Sequence, residues 1–186
     1  MTEGVRFIII TTPPDPVSRS VEIARARACE IGGSRAALAY PPHVTLRTGA
    51  FVPVAMVGTF INAFGAALGS WEPFTIRTEG LLLSPYQDGD REKHLVAYRI
   101  ALDEPLAELN RRLLSYTPWR ASNRLHFLPH LTLAFDDLDR DGFNRLKEWL
   151  ERDAAAVPAG FEWTCDNVGL YRRESDSWTA YQVWRR

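Results

Sequence analysis

Apolar residues along this chain follow two rhythms, one of period two or continuous in short runs, the other of three to four. The run Val5–Thr11 (V-R-F-I-I-I-T) is β-branched and aromatic and predicts a largely buried strand. Pro13, Pro14 and Pro16 follow, with Asp15 as the expected N-cap and Pro16 at the first helical position. Val17, Val21, Ala24, Ala28 and Ile31 then recur at helical spacing, predicting a helix to about Glu30 that ends at Gly32-Gly33. A strand is expected from His43 to about Thr48. Pro53 opens a second helix, apolar on several sides and expected to be heavily buried, stopping near Gly69. Phe74–Leu83 and His94–Ala101 read as strands joined by the polar connection Pro85–Lys93. A Leu-rich helix follows from Leu106 to about Tyr116, then a loop, Thr117–Leu125, and a strand, His130–Phe135. Asp136–Asp141 offers N-caps for a helix to about Arg152. The chain ends in a predicted hairpin, Phe161–Tyr171 and Trp178–Trp184, around the charged turn Arg172–Asp176.

Composition narrows the class. With 186 residues, 46% hydrophobic and 24% charged, the chain has the balance of an ordinary folded domain and not of a disordered one. No apolar run reaches membrane-spanning length, and the short stretch Phe7–Ile10 is too brief for a signal-peptide core, so a cytoplasmic location is expected. Two cysteines, Cys29 and Cys165, build no disulfide framework and have no zinc-ligand spacing; buried free thiols are expected. A net charge of −1 argues against broad duplex binding, yet leaves room for a local basic cleft that takes a nucleotide or an RNA end.

The segment Pro42-His43-Val44-Thr45-Leu46 recurs as Pro129-His130-Leu131-Thr132-Leu133. Random placement gives any one histidine the context P-H-x-T-L with odds of about one in two thousand, yet two of only four histidines carry it. Each copy sits on a helix-flanked strand, so the chain, residues 1–186, reads as one domain of two related α+β lobes.

Alternate strand residues share a face, so His43 and Thr45 point one way and Val44 and Leu46 the other, with His130 and Thr132 repeating the arrangement. The aliphatic pair packs inward and the His–Thr pair is left outside, its Cα atoms roughly 6.6 Å apart. If the lobes meet face to face, two imidazoles and two hydroxyls converge on one cleft. Such a set suits phosphodiester chemistry without a metal. One neutral imidazole takes a proton from the attacking oxygen, the other gives one to the leaving oxygen, and the hydroxyls donate to non-bridging oxygens. By parity Arg47 joins the same face as a phosphate ligand or a rim ion pair.

Two H-Φ-T-Φ strands, one per half, resemble the two-histidine (2H) phosphoesterase superfamily, and within it the LigT-like 2′-5′ RNA ligase and cyclic phosphodiesterase family. The resemblance extends to the first strand, the strand His94–Ala101, the helix after it and the final hairpin. It implies a bilobal α+β fold with antiparallel sheets lining a central cleft and helices outside. It also implies opening of a ribose 2′,3′-cyclic phosphate, or cleavage and joining of 2′,5′-linked RNA, with no cofactor or metal. Carried over, His43 and His130 are the proton-transfer pair, with Thr45 and Thr132 as phosphate-binding hydroxyls. RNA cyclic-phosphate ends or small cyclic nucleotides are the expected partners of a monomer with no protein partner. The symmetry leaves open which histidine is base and which acid. The chain departs from many relatives at Phe135, where they carry a basic residue or Tyr. That departure motivates the alternative of a non-catalytic RNA-end or nucleotide-binding module using the same cleft.

The remaining residues read more plainly. His94 begins a strand after a charged turn and is expected at the surface. His126 and His130 have a helical ligand spacing, but Pro129 and the strand pattern oppose a helix there. Arg120 and Arg124 are expected as solvated loop charges and Phe135 as a core residue, with Tyr40, Phe127 and Tyr171 as lesser stacking candidates.

Overall fold

The computed structural model describes residues 3–69, 71–116, 127–153, 157–158 and 160–186. The described strands are β1 (Gly4–Thr11), β2 (Val44–Pro53), β3 (Phe74–Asp88), β4 (Arg91–Ile100), β5 (His130–Ala134), β6 (Glu162–Cys165), β7 (Asn167–Glu174) and β8 (Ser177–Arg185). The helices are α1 (Asp15–Gly32), α2 (Val57–Leu68), α3 (Glu104–Tyr116) and α4 (Arg140–Arg152). No described helix is long and apolar enough to cross a membrane.

The fold is α+β, as the sequence predicts. Its strands form one sheet in the order β6-β3-β4-β5-β2-β1-β7-β8, and every registered pair is antiparallel. The duplicated motif explains this order. The runs β1-α1-β2-α2 and β4-α3-β5-α4 are equivalent, and their motif strands β2 and β5 lie side by side at the centre. The two halves therefore join edge to edge, and their helices interlock: α1 packs on α4 and over β5 of the other half, and α3 packs on α2 and over β2. At the α1–α4 crossing backbone meets backbone. A Cβ added at Gly142 would lie 2.1 Å from the Gly32 carbonyl oxygen, so only glycine fits.

One face of the sheet carries the core, with Phe7 and Ile9 from β1, Val44, Leu46 and Val52 from β2, and Leu131 and Leu133 from β5 all buried. The stripe on α1 is buried at Val21, Ala24 and Ala28, and Gly33 closes that helix in the left-handed conformation (φ 81°).

Several boundaries differ from expectation. Pro14, which has no capping side chain, is the N-cap of α1, and Asp15 stands in its first turn. The predicted second helix begins as a 3-10 turn, Val54–Met56, and α2 buries one face only, through Phe60, Phe64, Ala67 and Leu68. The connection Pro85–Lys93 is mostly strand: β3 and β4 run on to a turn at Gly89-Asp90, held by the pairing of Asp88 with Arg91 and by Lys93 on Asp88 (3.1 Å) and on Asp136. The predicted strand Phe161–Tyr171 is two strands on opposite sides of the sheet, β6 beside β3 and β7 beside β1. The switch occurs at Asn167, whose carboxamide accepts from the Thr12 N–H (3.0 Å) and donates to the Thr12 carbonyl (2.8 Å).

Candidate active site

A cavity of about 790 Å³ opens over the central strands, and His43, Thr45, Arg47, His130 and Thr132 all line it. Strand parity accounts for this. Val44 faces Leu131 across the β2–β5 seam, both fully buried, so the residues before and after each turn to the other face.

The two histidines are held alike. His43 Nδ1 is 2.7 Å from the Pro41 carbonyl oxygen, and His130 Nδ1 is 2.8 Å from that of Leu128. A carbonyl only accepts, so both rings carry their proton on Nδ1 when neutral, leaving Nε2 as the lone-pair atom. In His43 that atom lies 3.1 Å from Thr45 Oγ1, whose hydroxyl donates to it. His43 is 7% exposed, and His130 is more open. Burial pushes the His43 imidazolium down to about 4; the Pro41 carbonyl opposes this, and the positive charges of Arg25 and His130 add to it. His43 is therefore neutral near pH 7.

Arg25 belongs to neither motif, yet it reaches the site. Its guanidinium is 2% exposed, donating from Nε to the Thr132 carbonyl (2.8 Å) and from Nη1 to the Tyr40 carbonyl (2.8 Å). Nη2 has no hydrogen-bond partner among the described residues, and Arg25 lines the cavity. Burial lowers its pKa to about 10, against the opposing charge of Glu22, so it stays cationic at neutral pH. The available signal was an arginine beside the apolar stripe of α1, four residues after Val21 and three before Ala28. Asn110 on α3 plays the matching part on the other strand, donating to the Leu46 carbonyl at 2.6 Å. Arg47 is half-buried, with its Nε unpartnered among the described residues.

The expected secondary residues are sorted by the same geometry. Phe135 is not in the core: β5 ends at Ala134, Asp136 adopts a left-handed conformation (φ 62°), and the ring is carried to the cavity wall beside Tyr40 (5.9 Å). Tyr40 and Phe127 also line the cavity; Tyr171 lies outside it on β7. His94 is buried, not at the surface, stacked on Phe143 (4.7 Å) with Nε2 3.1 Å from Glu92, because α4 covers this end of β4. Cys29 and Cys165 are free; Cys165 is buried and Cys29 half-buried. The long β3–β4 hairpin supplies Tyr86, Gln87 and Asp88 to the wall, a contribution hidden by reading this stretch as a loop. Arg120, Arg124 and His126 lie outside the described residues. Among those described, no group of three or more His, Cys, Asp or Glu is placed to hold a metal ion.

The cavity thus brings together the two oriented imidazoles, the hydroxyls of Thr45 and Thr132 and the guanidinium groups of Arg25 and Arg47. The family model described as the 2′-5′ RNA ligase superfamily matches residues 13–177, and the chain belongs to that superfamily. No curated protein sequence matches it. Solved structures share its fold: LigT of Escherichia coli, in apo form (17% identity, 98% of each chain, TM-score 0.62) and complexed with 3′-AMP (17%, 98% of each chain, 0.59). TT0787 of Thermus thermophilus is similar over 97% of each chain (15% identity, TM-score 0.62). Usb1 of Kluyveromyces marxianus, with uridine monophosphate, matches at 13% identity and TM-score 0.51, over 95% of this chain and 97% of that one.

Proposed function

We propose that this protein opens ribose 2′,3′-cyclic phosphates, or cleaves and joins 2′,5′-linked RNA, by metal-independent acid–base catalysis between His43 and His130. The observation that carries this reading is the shared posture of the two rings. Each is fixed through Nδ1 on a carbonyl two residues upstream, and each lines the same cavity beside a threonine two residues downstream. The 3′-AMP and uridine monophosphate complexes of LigT and Usb1 are in keeping with a nucleotide in this cavity.

The same geometry supports a division of roles. His43, held neutral by burial, is the base. A substrate phosphate draws the Thr45 hydroxyl to a non-bridging oxygen and so frees Nε2. His43 Nε2 then takes a proton from water as the water oxygen bonds to phosphorus. The bond from phosphorus to the ribose 3′-oxygen breaks, that oxygen takes the proton of His130, and a 2′-phosphate remains. A charge on His130 opposes a charge on His43, which adds to the burial that keeps His43 neutral for this step. Thr132, Arg25 and Arg47 meet the charge growing on the phosphate oxygens.

The test is turnover of a nucleoside 2′,3′-cyclic phosphate in EDTA. Activity should persist in the chelator, and His43→Ala and His130→Ala should each abolish it while circular dichroism stays that of the parent. Retained activity in either variant, or a requirement for added metal, overturns the mechanism. Tight binding of a 2′-phosphate with no turnover of any cyclic substrate would instead establish the binding-module alternative.

A further inference from the structure

Beyond the catalytic cavity, rings and cations recur on the same side of the sheet. Tyr40, whose ring lies 5.4 Å from that of His43, stacks on Trp178 at 5.5 Å and 20°. In the β7–β8 ladder Trp178 stands opposite Arg173, and opposite residues of a ladder share a face. The β1–β7 ladder registers Ile8 with Tyr171 and Phe7 with Arg172, so one step further brings Arg6 beside Arg173. Arg6 in turn faces Phe51 in the β1–β2 ladder. Arg6, Arg173 and Phe51 are exposed and line a second depression of about 340 Å³. Ile8, on the wall of the catalytic cavity, is two residues from Arg6 on the same strand face, so Arg6 lies beyond the cavity wall on that face.

Two of the charges here, Arg6 and Arg173, have no ion pair among the described residues. Like charges abreast in a ladder destabilise it unless an anion lies between them. Arg172 is engaged by Glu174 and by the ring of Tyr181. Among the described residues Arg6 has no ion pair, and Arg173 donates there only to the Ser175 carbonyl (3.3 Å). A cationic groove with flanking rings matches the needs of single-stranded nucleic acid, whose phosphates take the cations and whose bases stack on the rings. From Ile10, opposite Thr45, to Arg6 is four residues of strand, roughly 13 Å, the reach of about two nucleotides.

Resting on the function proposed above, we infer a second subsite on β1, β7 and β8: when the reacting end of an RNA strand sits in the catalytic cavity, upstream phosphates lie on Arg6 and Arg173, and bases stack on Trp178 and Phe51.

The experiment compares the parent with Arg6→Gln/Arg173→Gln, two exposed positions. One readout is the ratio of kcat/KM for an oligoribonucleotide of about eight residues ending in a 2′,3′-cyclic phosphate to kcat/KM for the mononucleoside cyclic phosphate. The double variant should lower that ratio at least tenfold, and Arg6→Glu/Arg173→Glu should lower it further. The second readout is anisotropy of a labelled oligoribonucleotide across salt, where the slope of log K against log salt should flatten by about 1.4 in the double variant. The inference fails if the ratio and slope do not change, or if polyglutamate displaces the oligonucleotide as well as RNA does. Anisotropy needs no turnover, so absent hydrolysis with arginine-dependent binding overturns only the catalytic reading, and intact hydrolysis without arginine dependence overturns only this one.

Discussion

Val44 and Leu131 face each other across the seam where the two halves of the sheet join, and each follows a motif histidine by one residue. This single registered pair fixes the site. With both aliphatic side chains fully buried, His43 and His130 must emerge on the opposite face, on either side of the seam. The strands part beyond that pair, leaving carbonyls that the ladder does not satisfy. Arg25 and Asn110 take those of Thr132 and Leu46 from the two equivalent helices.

The hydroxyls beside the histidines offer a direct test of the phosphate-binding role. Valine preserves the shape and strand preference of threonine and removes only the donor. Thr45→Val and Thr132→Val should each cut kcat by about 10²-fold, the usual loss for one donor to a developing oxyanion. Steady-state kinetics on a cyclic phosphate checks this; a change confined to KM would mean that the hydroxyls hold the ground state alone.

The depressed His43 pKa ties stability to pH. The unfolded histidine titrates near 6.5 and the folded one near 4, so between these values the unfolded chain binds more protons. The contribution of this site is complete above pH 6.5 and is lost as pH falls toward 4, on the order of 3 kcal/mol in all. Urea unfolding of the parent should weaken across that window, and His43→Gln should flatten the decline. Parallel curves for the two would refute the assignment.

How much of this was legible beforehand follows from what each feature depends on. The P-H-Φ-T-L repeat states the strand parity, so His43 with Thr45 and His130 with Thr132 could each be placed on one outward face from local pattern; that the two pairs share a cavity depended on the halves meeting. The sheet order could not, because pairing of β2 with β5 is a contact between halves that no local pattern encodes. Arg25 was hidden because a charge beside an apolar stripe reads as solvated until the carbonyls it meets are known. The strands through Pro85–Lys93 were hidden because Asp88, Arg91 and Lys93 look like a loop, although cross-strand charge pairing makes them a hairpin.

The α1–α4 crossing predicts a stability effect remote from the chemistry. With the Gly32 carbonyl 2.1 Å from where a Cβ would stand, Gly142→Ala must push the helices apart. The cost should be about 1–3 kcal/mol, seen as a Tm lowered by several degrees. Gly58→Ala, with nothing near its Cβ position, is the control and should leave Tm unchanged or slightly raised.

Arg25 carries the most discriminating prediction, because two effects of removing it point in different directions. Arg25→Met keeps the buried stem and removes the guanidinium. The Thr132 and Tyr40 carbonyls lose their donor, which should cost about 2 kcal/mol of stability. The cation that helps hold His43 neutral is also gone, so the His43 pKa should rise from about 4 toward its ordinary value. In the pH dependence of kcat/KM, the acidic limb should therefore move to higher pH even as the rate falls. A merely structural arginine would lower activity at every pH without moving that limb. A variant whose limb coincides with the parent's would show that Arg25 supports the strands without acting on the histidine.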